Sequence, residues 1–139
     1  MNKKQIILIV DDDSDDREIL RDAFMAQHKE HREYVFIETG DQLLEYLANA
    51  NDNNDELPSL IMLDLNMPGK DGREALKEIK GSERWRSIPT IVFTTSGSQK
   101  DKETSYHLGA NSFITKPDTF NKLVELVNCI TQIWLQDSF

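Results

Sequence analysis

The sequence predicts an α/β fold: a doubly wound, five-stranded parallel sheet with helices on both faces. Three observations carry this. Short β-branched runs alternate with segments of helical periodicity from one end of the chain to the other. The runs are almost continuously apolar, as in strands covered on both faces. Polar, chemically capable residues follow the ends of these runs, at the carboxyl edge where open α/β sheets gather their active groups.

The expected strands are Ile6–Val10, Tyr34–Glu38, Leu60–Leu63, Thr90–Thr94 and Ser112–Ile114. Between them lie the helical patterns. From Asp15 to about Gln27, Ile19, Leu20, Ala23 and Phe24 recur at helical spacing; from Asp41 to about Ala50, Leu43, Leu44 and Leu47 do so. Asp71 is a natural cap for a helix over Gly72–Lys80, with Gly81 as its stop. A weaker pattern spans Gln99–Leu108 and ends at Gly109. The last helix runs from about Thr119 to Leu135, capped by Asp118 or Thr119. The polar, asparagine-rich stretch 49–56 reads as a mobile, solvated loop before the third strand. No internal repeat is visible.

A chain of 139 residues with 38% apolar content is read as one domain over residues 1–139. Sixteen basic residues face 25 acidic ones, a net charge of −9. An acidic surface argues against nucleic acid as a partner, since phosphate recognition needs a basic face. One cysteine, Cys129, excludes an internal disulfide framework and suits a reducing compartment. The apolar run after the charged start is too short for a secretory leader, and no 18-residue apolar stretch spans a membrane. A cytoplasmic protein is expected.

Three strand ends carry chemistry. Asp64 follows Leu60–Leu63 and opens the turn Leu65-Asn66-Met67-Pro68-Gly69-Lys70-Asp71-Gly72. Asp11 and Asp12 follow the first strand, and Lys116-Pro117 follow the fifth. A nucleophilic carboxylate, an acidic pair for a divalent cation and a lysine for a phosphoryl group together make a phosphate-accepting site. Each piece has a plainer reading. Asp11 and Asp12 alone fit a helix-start acidic cluster as well as a cation site. Asp13, Asp15 and Asp16 are read that way, with Ser14 a second candidate cap. Asp64 alone could open a turn, and Lys116-Pro117 alone is an ordinary surface pair. Thr94 and Thr95 alone are ordinary strand residues. Asp71 is read as a helix cap. His28, His31 and His107 lack metal spacing and are placed at the surface. Cys129 is read as a packed small side chain, and Trp85 and Trp134 as packing anchors.

Taken in order, Val10-Asp11-Asp12, Asp64 through Gly72, Thr94, Gly109-Ala110 and Lys116-Pro117 resemble a response-regulator receiver domain over nearly the whole chain. The intervals agree, with 30 positions from Asp64 to Thr94 and 22 from Thr94 to Lys116. Thr94-Thr95-Ser96 and Ser105 through Phe113 resemble more narrowly the stand-alone regulators paired with bacterial phytochrome-type kinases. The resemblance implies a flavodoxin-like strand order 2-1-3-4-5. It implies that Asp64 accepts a phosphoryl group from a histidine kinase. Asp12 and Asp64 would hold magnesium (or manganese) directly, Asp11 through water, and Asn66 through its backbone carbonyl. Lys116 and Thr94 would bind phosphoryl oxygens, and Thr94 with Phe113 would form the switch. It also implies a cis Lys116–Pro117 bond. The signal would pass to a downstream protein or a phosphotransfer partner, without an output domain in this chain. The output face would be the fourth helix, fifth strand and fifth helix.

Two departures from the common family pattern stand out. Phe113 occupies a place where tyrosine is frequent, so the switch there works by packing alone. Thr95 occupies a place where alanine or glycine is frequent; its bulk would hinder attacking water and slow dephosphorylation. In the last helix Leu123, Val127, Ile130 and Trp134 form a core-facing stripe with Phe120 beside it. Leu126 and Ile133 widen it on one side, Val124 and Leu135 on the other. That arc exceeds what one sheet face covers, so a homodimer through the last helix and strand is expected, with the alternative that the C-terminal turn folds back on its own domain. Two other functions compete. One is an aspartate-nucleophile phosphohydrolase with Asp11 attacking and Asp13 as acid; the other is a degenerate receiver that only binds partners.

Overall fold

The computed structural model describes residues 4–50, 57–67 and 71–135. The chain alternates β1 (Gln5–Val10), α1 (Ser14–Met25), β2 (Arg32–Ile37), α2 (Gly40–Ala50), β3 (Leu60–Leu63), α3 (Gly72–Gly81), β4 (Thr90–Thr94), α4 (Gln99–His107), β5 (Ser112–Thr115) and α5 (Phe120–Trp134). All neighbouring strands are parallel, and their order is β2-β1-β3-β4-β5, as expected. β2 starts two residues before its apolar run, because Arg32 and Glu33 pair with Gln5 and Ile6. Of the asparagine-rich stretch, 49 and 50 complete α2 while 51–56 lie outside the described residues, as does the Pro68-Gly69-Lys70 turn.

Alternation along the strands builds two cores. Ile6, Leu8, Val10, Ile61, Leu63 and Val92 face α2 and α3, against Leu43, Leu47, Ala75, Leu76 and Ile79. Ile7, Ile9, Leu60, Met62, Ile91 and Phe93 face α1 and α5, against Leu20, Phe24, Leu123, Val127 and Ile130. Phe24 is fully buried, and truncating such a ring to alanine costs about 3–5 kcal/mol. Trp85 and Trp134 pack at the margins of these cores. Cys129 differs from its expected place. It is exposed, because it lies on the side of α5 away from the Leu123–Val127–Ile130 stripe.

Caps set the helix starts. Asp13 caps α1 by accepting from the backbone N–H groups of Asp15 and Asp16, so the cap is Asp13 rather than Ser14. Asp71 caps α3 in the same manner, accepting from Arg73 and Glu74. Thr119, not Asp118, caps α5; Asp118 instead pairs with Lys122 one turn on. Gly81 is the last residue of α3 rather than a residue beyond it, and Gly109 follows α4 with φ 105°. α4 is the exception among the helices: Ser105 is its one buried residue.

Candidate functional site

The three strand ends meet at the carboxyl edge of the sheet. Asp64 donates its backbone N–H to Val10 O at 2.9 Å, and Asp11 donates to Ile37 O at 3.0 Å. Lys116 donates to Thr94 O at 2.8 Å. These bonds continue the sheet ladders by one residue and fix where each side chain leaves the edge. α3 approaches so closely that a Cβ on Gly72 would stand 2.2 Å from Asp64 O. Only glycine lets that helix start against the end of β3.

Asp11, Asp12 and Asp64 each offer a carboxylate oxygen, and these oxygens all lie within 4.8 Å of one another. Asp11 and Asp64 are buried and Asp12 is exposed. A hard divalent cation suits this donor set, with Asp12 leaving a face open to solvent and phosphate. Lys116 enters from the other side. Its ammonium lies 2.7 Å from Asp11 Oδ2, 2.8 Å from Asp16 Oδ2 and 3.4 Å from Asp64 Oδ2, and 5.9 Å from the centre of the Phe93 ring. Burial pulls its proton affinity down, but hydrogen bonds to Asp11 and Asp16 and the charge of Asp64 outweigh this, so Lys116 is held above its ordinary pKa. Burial also pushes the Asp11 carboxyl up, an effect that Lys116 and the backbone N–H of Asp13 partly offset.

Every described peptide bond is trans, including Lys116–Pro117, which corrects the expected cis bond. Trans is the lower-energy isomer of X-Pro by about 0.5–1 kcal/mol, and the long lysine stem reaches the cluster without the other isomer. Asn66 is exposed; its backbone N–H donates to Asp64 Oδ1 at 3.3 Å. Thr94 is fully buried at the end of β4, its hydroxyl accepting from Ser96 N–H at 3.4 Å. Phe113 is half-buried against the α2/α3 core. Its backbone N–H donates to the Tyr106 hydroxyl at 3.2 Å, so α4 supplies a phenol where the strand has none.

Three contributors were not singled out from the sequence. Asp16, expected only as a helix-start acid, binds Lys116. Its spacing held a clue: it stands four residues before buried Leu20, so it shares the inward face of α1. Arg17 is buried and donates to Asp11 O at 2.7 Å. Phe93 forms the floor beneath Lys116.

Comparison with known proteins fits this geometry. The family model described as the response regulator receiver domain matches residues 7–128. The chain belongs to that family. The receiver is 34% identical over 136 residues to the response regulator Rcp1 of Synechocystis sp., covering 97% of this chain and 92% of that one. It superimposes on the phosphorylated cyanobacterial phytochrome response regulator RcpA with a TM-score of 0.86 at 33% identity, covering 98% and 97% of the two chains. Against the Mn2+-bound form of Rcp1 the TM-score is 0.81 at 31% identity, with 97% of each chain covered. The receiver is therefore a regulatory domain of two-component signalling, similar to phytochrome response regulators. No described helix is long and apolar enough to cross a membrane.

Proposed function

We propose that Asp64 of this receiver accepts a phosphoryl group from the phosphohistidine of a histidine kinase, and that the modified domain signals to a protein partner or passes the group on in a relay. The observation that carries this is the disposition of Lys116. It is bonded firmly to Asp11 but only loosely to Asp64, whose Oδ2 is 3.4 Å away. Asp64 thus keeps an oxygen able to attack phosphorus. In the transfer the P–N bond to imidazole breaks, a P–O bond to the Asp64 carboxylate forms, and the imidazole leaves with its electron pair. Lys116 then pairs with a phosphoryl oxygen and the Thr94 hydroxyl donates to another. A magnesium or manganese ion, bound by Asp12 and Asp64, by Asp11 through water and by the Asn66 carbonyl, would neutralise charge on the transferring group. The acidic cluster and the Mn2+-bound state of Rcp1 support that ion.

An apolar groove beside Lys116 supports a kinase as the donor. Ile19 of α1 and Phe120 of α5 are each 47% exposed on its rim, and Phe93, Pro117 and Leu123 line it. A partner seated there would lie next to the reacting atoms. Such a partner draws its phosphate from ATP, which suits the cytoplasm. The net charge of −9 argues against a nucleic-acid target. Of the apolar residues that widen the α5 stripe, Leu135 is buried and Val124 and Leu126 pack against the core, so a homodimer through α5 and β5 would have Ile133, 63% exposed, and Phe120, 47% exposed, as its apolar contacts on α5.

The phosphohydrolase alternative fares worse. Asp11 accepts from Asp13 N–H at 2.9 Å and from Lys116 at 2.7 Å, both tighter than the 3.3 and 3.4 Å contacts to Asp64, and the Asp13 carboxylate is occupied as the α1 cap. Incubation with acetyl phosphate and magnesium, followed by mass spectrometry, separates the readings. One phosphoryl adduct, absent in Asp64→Asn, is expected. An adduct on Asp11, steady turnover of small esters without an Asp64 adduct, or no adduct at all would overturn the proposal.

A further inference from the structure

Asp16 takes no step in the phosphoryl transfer proposed for Asp64, yet it makes one of the two short bonds to the Lys116 ammonium. A lysine ammonium has three N–H donors, and charge-assisted bonds to carboxylate run about 2.7–2.9 Å. Lys116 meets that range with Asp11 at 2.7 Å and Asp16 at 2.8 Å, while Asp64 at 3.4 Å falls outside it. The two short bonds differ in what it takes to break them. The Asp11 side chain is 7% exposed, so an Asp11 deprived of Lys116 is a buried anion without its cation. The Asp16 side chain is 40% exposed and returns to water at little cost. Asp16 also stands in the first turn of α1, where the helix dipole favours a carboxylate.

We infer that Asp16 is a positioning residue for phosphoryl transfer: it holds Lys116 off Asp64 in the unmodified receiver and yields it when a phosphoryl group arrives. Two consequences follow. With Asp16 in place, the contact of Lys116 to Asp64 Oδ2 stays long, at 3.4 Å, and Asp64 can face a cation and attack. Without it, the ammonium closes on Asp64, and the cation site loses a nearby negative charge and gains a closer competing cation. Once the phosphoryl group is present the sign reverses. Asp16 then competes with the phosphoryl oxygens for Lys116, so its removal strengthens their pairing. The inference rests on Asp64 as phosphoacceptor, but the opposed signs belong to Asp16 alone.

The test uses the full chain and three variants: Asp16→Asn, Asp16→Glu and Asp15→Asn. Asp15 is an exposed acid of the same helix turn that does not bond Lys116, so it reports the effect of net charge alone. Mn2+ binding to the unmodified protein is measured by water-proton relaxation. Binding of beryllofluoride, a phosphoryl mimic, is measured at saturating magnesium. In Asp16→Asn, Mn2+ affinity is expected to fall about fivefold, the size of one unit charge lost at short range in a partly solvated site. Beryllofluoride affinity is expected to rise about threefold on the same electrostatic grounds. Asp15→Asn should move both by less than about twofold, as a screened surface charge does. Asp16→Glu should return both toward wild type. The Lys116 15Nζ signal should be protected from solvent exchange in wild type and lose that protection in Asp16→Asn. Equal effects from Asp16→Asn and Asp15→Asn would overturn the inference. So would loss of both affinities together, since that is what a merely structural residue gives. A wild-type protein that forms no Asp64 adduct would instead overturn the proposed function, with the Asp16 variants playing no part in that result.

Discussion

Replacing Gly72 by alanine sets two effects against each other. Gly72 opens α3 and donates its backbone N–H to Leu65 O at 3.0 Å. An added Cβ would meet Asp64 O at 2.2 Å and Leu65 Cα at 2.7 Å. Both are backbone atoms, so no rotamer change relieves the contact; α3 and the end of β3 must separate by about 1 Å to reach ordinary van der Waals distance. In the other direction, alanine narrows the unfolded ensemble and stabilises by about 0.4–1 kcal/mol. Overpacking costs about 1–3 kcal/mol, and the rigidity of the neighbours argues for the upper part of that range. The clash wins, leaving a net loss of about 1–2 kcal/mol, or ~3–10 °C in Tm for a chain of this size. The displaced atom is the carbonyl of Asp64 itself, so phosphoryl acceptance should fall with stability. Gly81→Ala is the matched control. Nothing lies within 4 Å of its Cβ position, so it should stabilise by about 0.5–1 kcal/mol. Thermal and urea unfolding followed by circular dichroism measures both. A Gly72→Ala protein as stable as wild type would refute the close-approach argument.

Asp101 accepts from the Ser96 hydroxyl and the Arg73 guanidinium, which hold its carboxyl below the ordinary range. A folded pKa below the unfolded one stabilises above the unfolded value of about 3.9 and is lost as pH falls through the folded value. Asp101→Asn should therefore flatten the acid limb of the urea midpoint plotted against pH, and an unchanged limb would count against the assignment. Thr95 is exposed beside buried Thr94. Thr95→Ala should speed hydrolysis of the Asp64 adduct, followed by loss of the phosphoryl mass, and an equal or slower rate removes the crowding argument. Ile133→Asp should shift the receiver from dimer to monomer in sedimentation at micromolar concentration, while a wild-type monomer in both unmodified and beryllofluoride-bound forms rules out the α5 contact.

Strand and helix positions were legible because β1, β3 and β4 are short apolar runs buried on both faces, while the edge strands β2 and β5, though partly exposed, keep enough β-branched and aromatic residues to show as strands. The acidic pair, Asp64 and Lys116 were legible for a related reason: a polar residue directly after such a run has to leave the sheet at its carboxyl edge. What stayed hidden depends on packing between elements far apart in sequence. Asp16 and Lys116 are 100 positions apart, and nothing local to either shows that α1 turns this carboxylate toward β5. The need for glycine at position 72, the expected start of α3, is not visible locally because the contact that requires it is with Asp64 O, just past the end of β3. The Lys116–Pro117 bond is trans where the family resemblance implies cis: no feature of the local residues favours cis, and the intrinsic energetic preference is for trans.

The grip on each helix differs, and this bears on where a phosphorylation signal can travel. α1, α2, α3 and α5 each bury at least two apolar side chains against the sheet. α4 buries only Ser105, so polar ties do most of the holding. One tie runs from Arg73 on α3 to Asp101 at 2.8 Å and on to the Ser96 hydroxyl at 2.6 Å. Another runs from Tyr106 to the Phe113 backbone. The first tie begins next to Thr94, since Ser96 N–H donates to the Thr94 hydroxyl. If Thr94 turns toward a phosphoryl group on Asp64, Ser96 loses that acceptor and its own hold on Asp101 is disturbed. Each such bond contributes only about 0.5–3 kcal/mol net, whereas truncating a buried leucine, isoleucine or phenylalanine costs about 2–5 kcal/mol. A rearrangement at Thr94 therefore moves α4 at lower cost than any other helix. The partly exposed β5 beside it, with Phe113 half-buried, moves with it more readily than the two closed cores do.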